Sequence, residues 1–125
     1  MEKEINEINK DELILKEYRK LKRIMKPVGK EQIKAIDDLL QRLAFMTITL
    51  SDLENDVKEN GAIVLFENGK QLMRVENPAQ KSYNTMINRY NALYSTILGY
   101  LAKAIEPEKA KQVSDGFDEF VGGGR

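Results

Sequence analysis

The chain has no cysteine, no histidine and no tryptophan among its 125 residues. Without His or Cys there is no Ser-His-Asp or Cys-His nucleophile system, no thiol redox couple and no ordinary zinc site, because zinc takes nitrogen or sulfur ligands. Chemistry that needs only carboxylates, Lys or Tyr is left open. Long apolar runs are missing too: none approaches the roughly 20 residues that span a bilayer, and the opening MEKEINEINK has no apolar signal-peptide region behind its charges. The expectation is a soluble chain with no membrane partner, intracellular by default. Net charge is absent as well, since 20 basic residues balance 20 acidic ones. Global charge therefore gives no argument for a polyanionic partner, and local charge must carry one.

What is present is enough for a core. Hydrophobic residues make up 42% and charged residues 32% of the chain, the range of one globular domain. Ile5, Ile8, Leu15, Tyr18, Leu21 and Met25 recur at helical spacing and predict a first amphipathic helix. Lys26-Pro27-Val28-Gly29 ends it, because proline disfavours helical geometry in the residue before it and glycine follows. Ile36, Leu39, Leu43, Met46, Leu50, Leu53 and Val57 then alternate spacings of three and four, a heptad seam. Ile33, Leu40 and Ile48 widen that face, so the helix packs on more than one neighbour. From about Lys30 to Glu59 it would be roughly 45 Å long, with Asn60-Gly61 as its left-handed stop.

The period then changes. Residues 62–67 and 70–75 read as two short strands joined at Asn68-Gly69, the dipeptide suited to a type I′ turn that needs positive φ twice. Counting outward pairs Glu67 with Lys70, Leu65 with Leu72 and Val64 with Met73. Such a hairpin is marginal alone and must lean on helices or on another subunit. Asn77-Pro78 starts the next helix, a capping side chain before a proline at the first helical position. Tyr83, Met86, Tyr90, Leu93, Ile97, Tyr100 and Ala104 repeat the three-four alternation, and Glu106-Pro107 is read as the end. An extra turn over 108–113 completes a single domain, residues 1–113. The tail, 114–125, has no periodicity, ends in glycines and is expected to be flexible. The fold class is thus mainly α: a long antiparallel helical hairpin with a β-hairpin at its tip, an N-terminal helix and a flexible C-terminal tail.

Charge is segregated despite the zero sum. Lys16, Arg19, Lys20, Lys22, Arg23, Lys26, Lys30 and Lys34 stand against Glu17 and Glu31, eight basic against two acidic, or +6. Residues 1–15 carry −3 (two basic, five acidic) and residues 37–60 carry −4 (two basic, six acidic). A positive stretch on two helices flanking a turn fits salt-dependent phosphate binding; the competing reading is a solvated face that meets acids on a neighbouring subunit. Tyr83, Tyr90, Tyr94 and Tyr100 invite comparison with base-stacking platforms, but their seam positions argue core or interface. Asp37 and Asp38, or Asp52 and Asp56, lack a metal motif or nucleophile beside them and read as solvated charge. No phosphate loop of the GxxxxGK[ST] kind occurs, so no ATPase is expected here. In the tail, Phe117, Asp118, Glu119 and Phe120 suit a segment that folds onto a partner's groove, or one that docks on its own body or stays loose.

The ordered set Val57-Lys58-Glu59-Asn60-Gly61, then Glu67-Asn68-Gly69-Lys70, then Val75-Glu76-Asn77-Pro78-Ala79 resembles the small subunit of phage DNA-packaging terminases. The likeness covers roughly Tyr18 to Lys103. Where that family commonly closes its last helix with a Gly-Leu-Thr-Pro-like ending, this chain reads Ala104-Ile105-Glu106-Pro107. The resemblance implies a non-enzymatic DNA-recognition subunit, without cofactor or metal, in the cytoplasm of an infected bacterial host. It would form a ring of identical subunits, bind double-stranded DNA at the packaging site, and recruit or regulate a large subunit holding the ATPase and nuclease.

Apolar helix faces wider than one antiparallel pair can hide point the same way, to a homo-oligomer. Its contacts are expected from Leu39, Leu43, Met46, Leu50, Leu53, Tyr83, Tyr90, Leu93 and Ile97, with DNA on the eight basic residues and the large subunit on the tail. The other reading is a coiled-coil scaffold or adaptor oligomer without nucleic-acid binding.

Overall fold

A computed structural model describes the backbone over residues 2–123 and the side chains over 9–106. The chain is mainly helical. Helix α1 (Glu2–Ile24) passes through a 3₁₀ turn, Lys26–Val28, into α2 (Lys30–Asn60); strands β1 (Ile63–Asn68) and β2 (Gln71–Glu76) follow, then α3 (Pro78–Gly123). The turn between α1 and α2 works as expected: Pro27 sits inside the 3₁₀ turn and Gly29 takes φ +95°, a conformation glycine adopts at little cost. Gly61, at φ +89°, stops α2 and donates its N–H to the Val57 carbonyl at 2.7 Å.

All three helices run antiparallel to their sequence neighbours. Lys10 meets Asp52 at 3.1 Å and Tyr18 reaches Asp37, which fixes α1 along α2. Tyr83 donates to Glu54 at 3.0 Å and Asn77 to Asp56 at 2.9 Å, which fixes α3 along α2 from the other side. α2 is therefore the middle helix, as its wide apolar face requires. One core collects Leu21 and Met25 of the α1 end, Ile36, Leu40, Leu43 and Ala44 of α2, and Ile97 of α3. Leu40 and Ala44 are 0% exposed. Burying side chains of this size stabilises by about 1.5–3 kcal/mol each for the larger ones.

Asn77 builds the junction at the hairpin end. Its Oδ1 accepts from the Ala79 N–H at 2.9 Å, the capping bond expected before Pro78. Its Nδ2 donates to the Gly61 carbonyl and to Asp56 Oδ1, both at 2.9 Å. Asn77 is 5% exposed, so every one of these bonds forms where water competes poorly.

Two details depart from the sequence reading. The hairpin register pairs Asn68 with Gln71, Glu67 with Leu72, Phe66 with Met73, Leu65 with Arg74 and Val64 with Val75. The turn is thus Gly69-Lys70 rather than Asn68-Gly69, and the pairs Glu67–Lys70, Leu65–Leu72 and Val64–Met73 do not form. Among the described residues only glycines take positive φ, and Gly69 does so at +63°. A type I′ turn needs two such residues, whereas a II′ turn needs one, a glycine at the first central position. The shifted register also sets Phe66 against Met73 and Val64 against Val75, two apolar cross-strand pairs on one face. The second departure is at Glu106-Pro107, where α3 does not end. Proline removes one ladder bond, and the strong helix formers 108–112 carry the helix on.

Candidate nucleic-acid interface

The antiparallel packing places the turn between α1 and α2 at one end of the molecule and the β-hairpin at the other. All eight basic residues singled out in the sequence lie at the turn end and all are exposed. Helical spacing sorts them further. Ile14, Tyr18, Leu21 and Met25 form the face of α1 that packs on the core; Lys16, Arg19, Lys20 and Arg23, at spacings of three, one and three, lie on the opposite, outward face. That stripe spans about 10 Å of helix axis. Lys26 in the turn and Lys30 and Lys34 on the first turns of α2 continue it around the end. Among the described residues only Lys20 of the eight has an ion-pair partner, Glu17 at 3.8 Å. A loose exposed pair of this kind contributes little and leaves the charge accessible.

Lys22 is different. Its ammonium lies 5.4 Å from the centre of the Tyr18 ring and close enough to Asp37 to help hold that carboxyl below its ordinary range. It is turned toward the α1–α2 contact, away from the stripe. The contact itself was not foreseen from the sequence: Tyr18 donates to Asp37 Oδ1, and Gln41 donates to Asp37 Oδ2 at 2.7 Å. The hydrogen bond from Tyr18 is the main cause of the lowered Asp37 pKa, opposed by partial burial and assisted by Gln41. The same bond, with partial burial and the Asp37 charge, pushes the Tyr18 hydroxyl up to about 12. This cluster fixes the angle at which α1, and hence the basic stripe, is presented. No local pattern announces it, because it depends on which turn of α1 faces which turn of α2.

The other sequence candidates are placed as follows. Leu43, Leu50 and Ile97 are buried inside the protomer, and Leu39, Met46, Leu53, Tyr83, Tyr90 and Leu93 are half-buried along the same α2–α3 seam. They hold the chain to itself. Tyr83 is bonded to Glu54, which raises its pKa; Tyr90 stacks on Tyr94 with ring centres 5.7 Å apart. Tyr100 packs against the core. The carboxylates Asp52 and Asp56 serve structure, Asp52 in the ion pair with Lys10 and Asp56 as acceptor for Asn60 and Asn77. Among the described residues no group of acidic side chains is arranged to hold a metal ion. No helix among them is long and apolar enough to cross a membrane. The side chains of Phe117, Asp118, Glu119 and Phe120 lie outside the described residues.

What the fold and this surface define together is a three-helix body with a continuous basic end and a projecting β-hairpin at the opposite end. Compared with known protein families, with curated proteins and with solved structures, the chain has no match.

Proposed function

We propose that the chain binds double-stranded DNA through its basic end and serves, as a homo-oligomer, as the small subunit of a DNA-packaging terminase. In this reading it holds the packaging site for a large ATPase and nuclease subunit in an infected bacterial cell, with the acidic-aromatic tail as the contact to that subunit. One observation carries the DNA part: the Lys16, Arg19, Lys20 and Arg23 stripe faces outward and runs on into Lys26, Lys30 and Lys34 with almost no internal neutralisation. Phosphate binding by such a stripe is weak per subunit and strengthens when several copies are held together.

The scaffold reading needs those cations to meet acids of residues 37–60 on a neighbour. Of the six acids in that stretch, Asp37, Asp52, Glu54 and Asp56 are already engaged within the chain. Hydrogen bonds from Tyr and Asn do not neutralise a carboxylate, so Asp38, Glu54, Asp56 and Glu59 stand against the seven cations other than Lys22, a surplus of positive charge that favours an outside polyanion.

The test is a salt titration of binding to a labelled duplex. Replacing Arg19, Lys20, Arg23 and Lys26 by Ala is expected to lower the affinity and to flatten the slope of log K against log salt by about 3.6, since each lost phosphate contact is worth about 0.9. Lys22→Ala, which removes a cation already committed to Tyr18 and Asp37, should leave the slope nearly unchanged. An unaltered affinity and slope in the fourfold variant would overturn the assignment.

A further inference from the structure

The hairpin is the most exposed apolar element of the protein. Leu65 and Leu72 are each 68% exposed, and Ile63, Phe66 and Met73 are also exposed, at 50%, 54% and 45%. Among the described residues the two strands pack on each other and hardly at all on a helix. A two-stranded sheet in this position is only marginally stable in water, and both of its outer edges are open. The pairing reveals which groups those edges offer. The Asn77 N–H donates to the Ala62 carbonyl at 2.8 Å, extending the ladder, and antiparallel ladders alternate. Val75 and Met73 therefore turn their backbone groups toward β1, while Leu72, Arg74 and Glu76 turn theirs outward, unpaired.

We propose that the β2 edge joins the β2 edge of a second copy of this chain, antiparallel about a two-fold axis at Met73, giving a four-stranded sheet. Charge selects both the strand and the register. Centring the pair on Leu72 would set Lys70 opposite Arg74 twice, and centring it on Arg74 would set two guanidiniums face to face. Centring it on Val75 would run each strand into Pro78, where α3 begins. Centring on Met73 brings the turn residue Lys70 to the far end of the second copy's β2, beside Glu76, twice, and lays each Arg74 beside a Leu72. Opposite charges across strands stabilise and like charges destabilise. β1 cannot do the same, because its only charged residue is Glu67. The joint pairs the outward backbone groups of Leu72 and Arg74 in both copies. It also merges Val64, Phe66, Met73 and Val75 of each into one apolar face, so the sheet reaches the size at which sheets become stable. This joint does not rest on DNA binding.

The absence of native cysteine makes the test clean. In the proposed register the two Met73 residues form a non-hydrogen-bonded pair with Cα atoms about 4.5 Å apart, within disulfide range. Met73→Cys is expected to give a covalent dimer as the main species under mild oxidation, without nucleic acid. Leu65→Cys on β1 and Leu72→Cys, offset in register, should stay monomeric on a reducing-agent-free gel. A second readout is the dimer dissociation constant by light scattering. Lys70→Glu and Glu76→Lys should each raise it about tenfold, because two symmetric pairs change sign, and the double variant K70E/E76K should restore it. Cross-linking at Leu65 or Leu72 instead of Met73, no cross-link at any site, or no rescue by the double variant would overturn the joint. A protein that cross-links at Met73 yet ignores duplex keeps this joint and loses the DNA reading; the converse pattern does the reverse.

Discussion

Tyr18 and Asp37 are nineteen residues apart in sequence and share the hydrogen bond that sets α1 on α2. Asp37 has a lowered folded pKa, so its contribution to stability is present above the unfolded carboxylate value and is lost as pH falls through the folded one. Tyr18 has a raised folded pKa, so its contribution is complete below about pH 10 and is lost as pH rises toward about 12. Tyr18→Phe is expected to cost about 1 kcal/mol at neutral pH by urea unfolding, and to lessen the decline above pH 10, to which Tyr83 also contributes. Ultraviolet titration of the five tyrosines should lose its highest-pH component in this variant; if that component persists, the bond is not what raises it. At this scale the sequence made little legible. The basic residues could be counted, but that the exposed Lys22 lies over Tyr18 beside Asp37 while Arg19 and Arg23 face away from it depends on the angle between two helices.

The capped junction at Asn77 is the point where elements meet. Asn77→Ala removes the α3 cap and leaves the half-buried Gly61 carbonyl without its side-chain donor, so a loss of about 2 kcal/mol is expected. Asn77→Asp keeps an equally good cap but loses both donated bonds and sets a second carboxylate against Asp56. Denaturant unfolding should therefore rank Asp below Ala at pH 7, with the gap narrowing near about pH 4 as a carboxylate protonates. Equal losses at both pH values would mean that Asp56 does not matter here. Elements were the most legible level. The three-four alternations of α2 and α3, the Pro-Gly turn, Gly61 and the Asn77-Pro78 start are local signals, and local chemistry decides them. The hairpin register and the passage of α3 through Pro107 were not legible. In the first case Asn-Gly and Gly-Lys turns compete within one short segment; in the second, a single lost bond competes with a run of helix formers.

At the scale of the whole molecule, α2 separates the two proposed binding surfaces by roughly 45 Å, well beyond the distance at which exposed charges feel one another in physiological salt. Substitutions at the basic end and on β2 should therefore act independently. The salt slope for duplex should be the same in Lys70→Glu as in the parent, measured per subunit, and the sheet joint should survive loss of Arg19 and Arg23. Leu40→Ala is the exception expected from its position in the core between all three helices. A loss of about 3 kcal/mol, seen as one cooperative transition by circular dichroism, should weaken both surfaces together. The overall plan of a helical hairpin tipped by a β-hairpin was readable from sequence, because each connection is short and joins neighbours. What lay open was the division of apolar surface: the α2–α3 seam is wholly or half-buried within the protomer, and exposed apolar side chains remain on the strands and on the helices at Leu13, Leu15, Ile24, Phe45, Tyr94 and Leu98.

The side-chain hydrogen bonds that join different elements close segments of 16 to 29 residues, three of them nested around the hairpin and the Tyr18–Asp37 bond closing the turn between α1 and α2. Chains with such local contacts fold quickly, because little loop entropy is lost before each contact forms. If copies join through β2 as proposed, assembly would then be a separate, concentration-dependent step that begins from finished subunits.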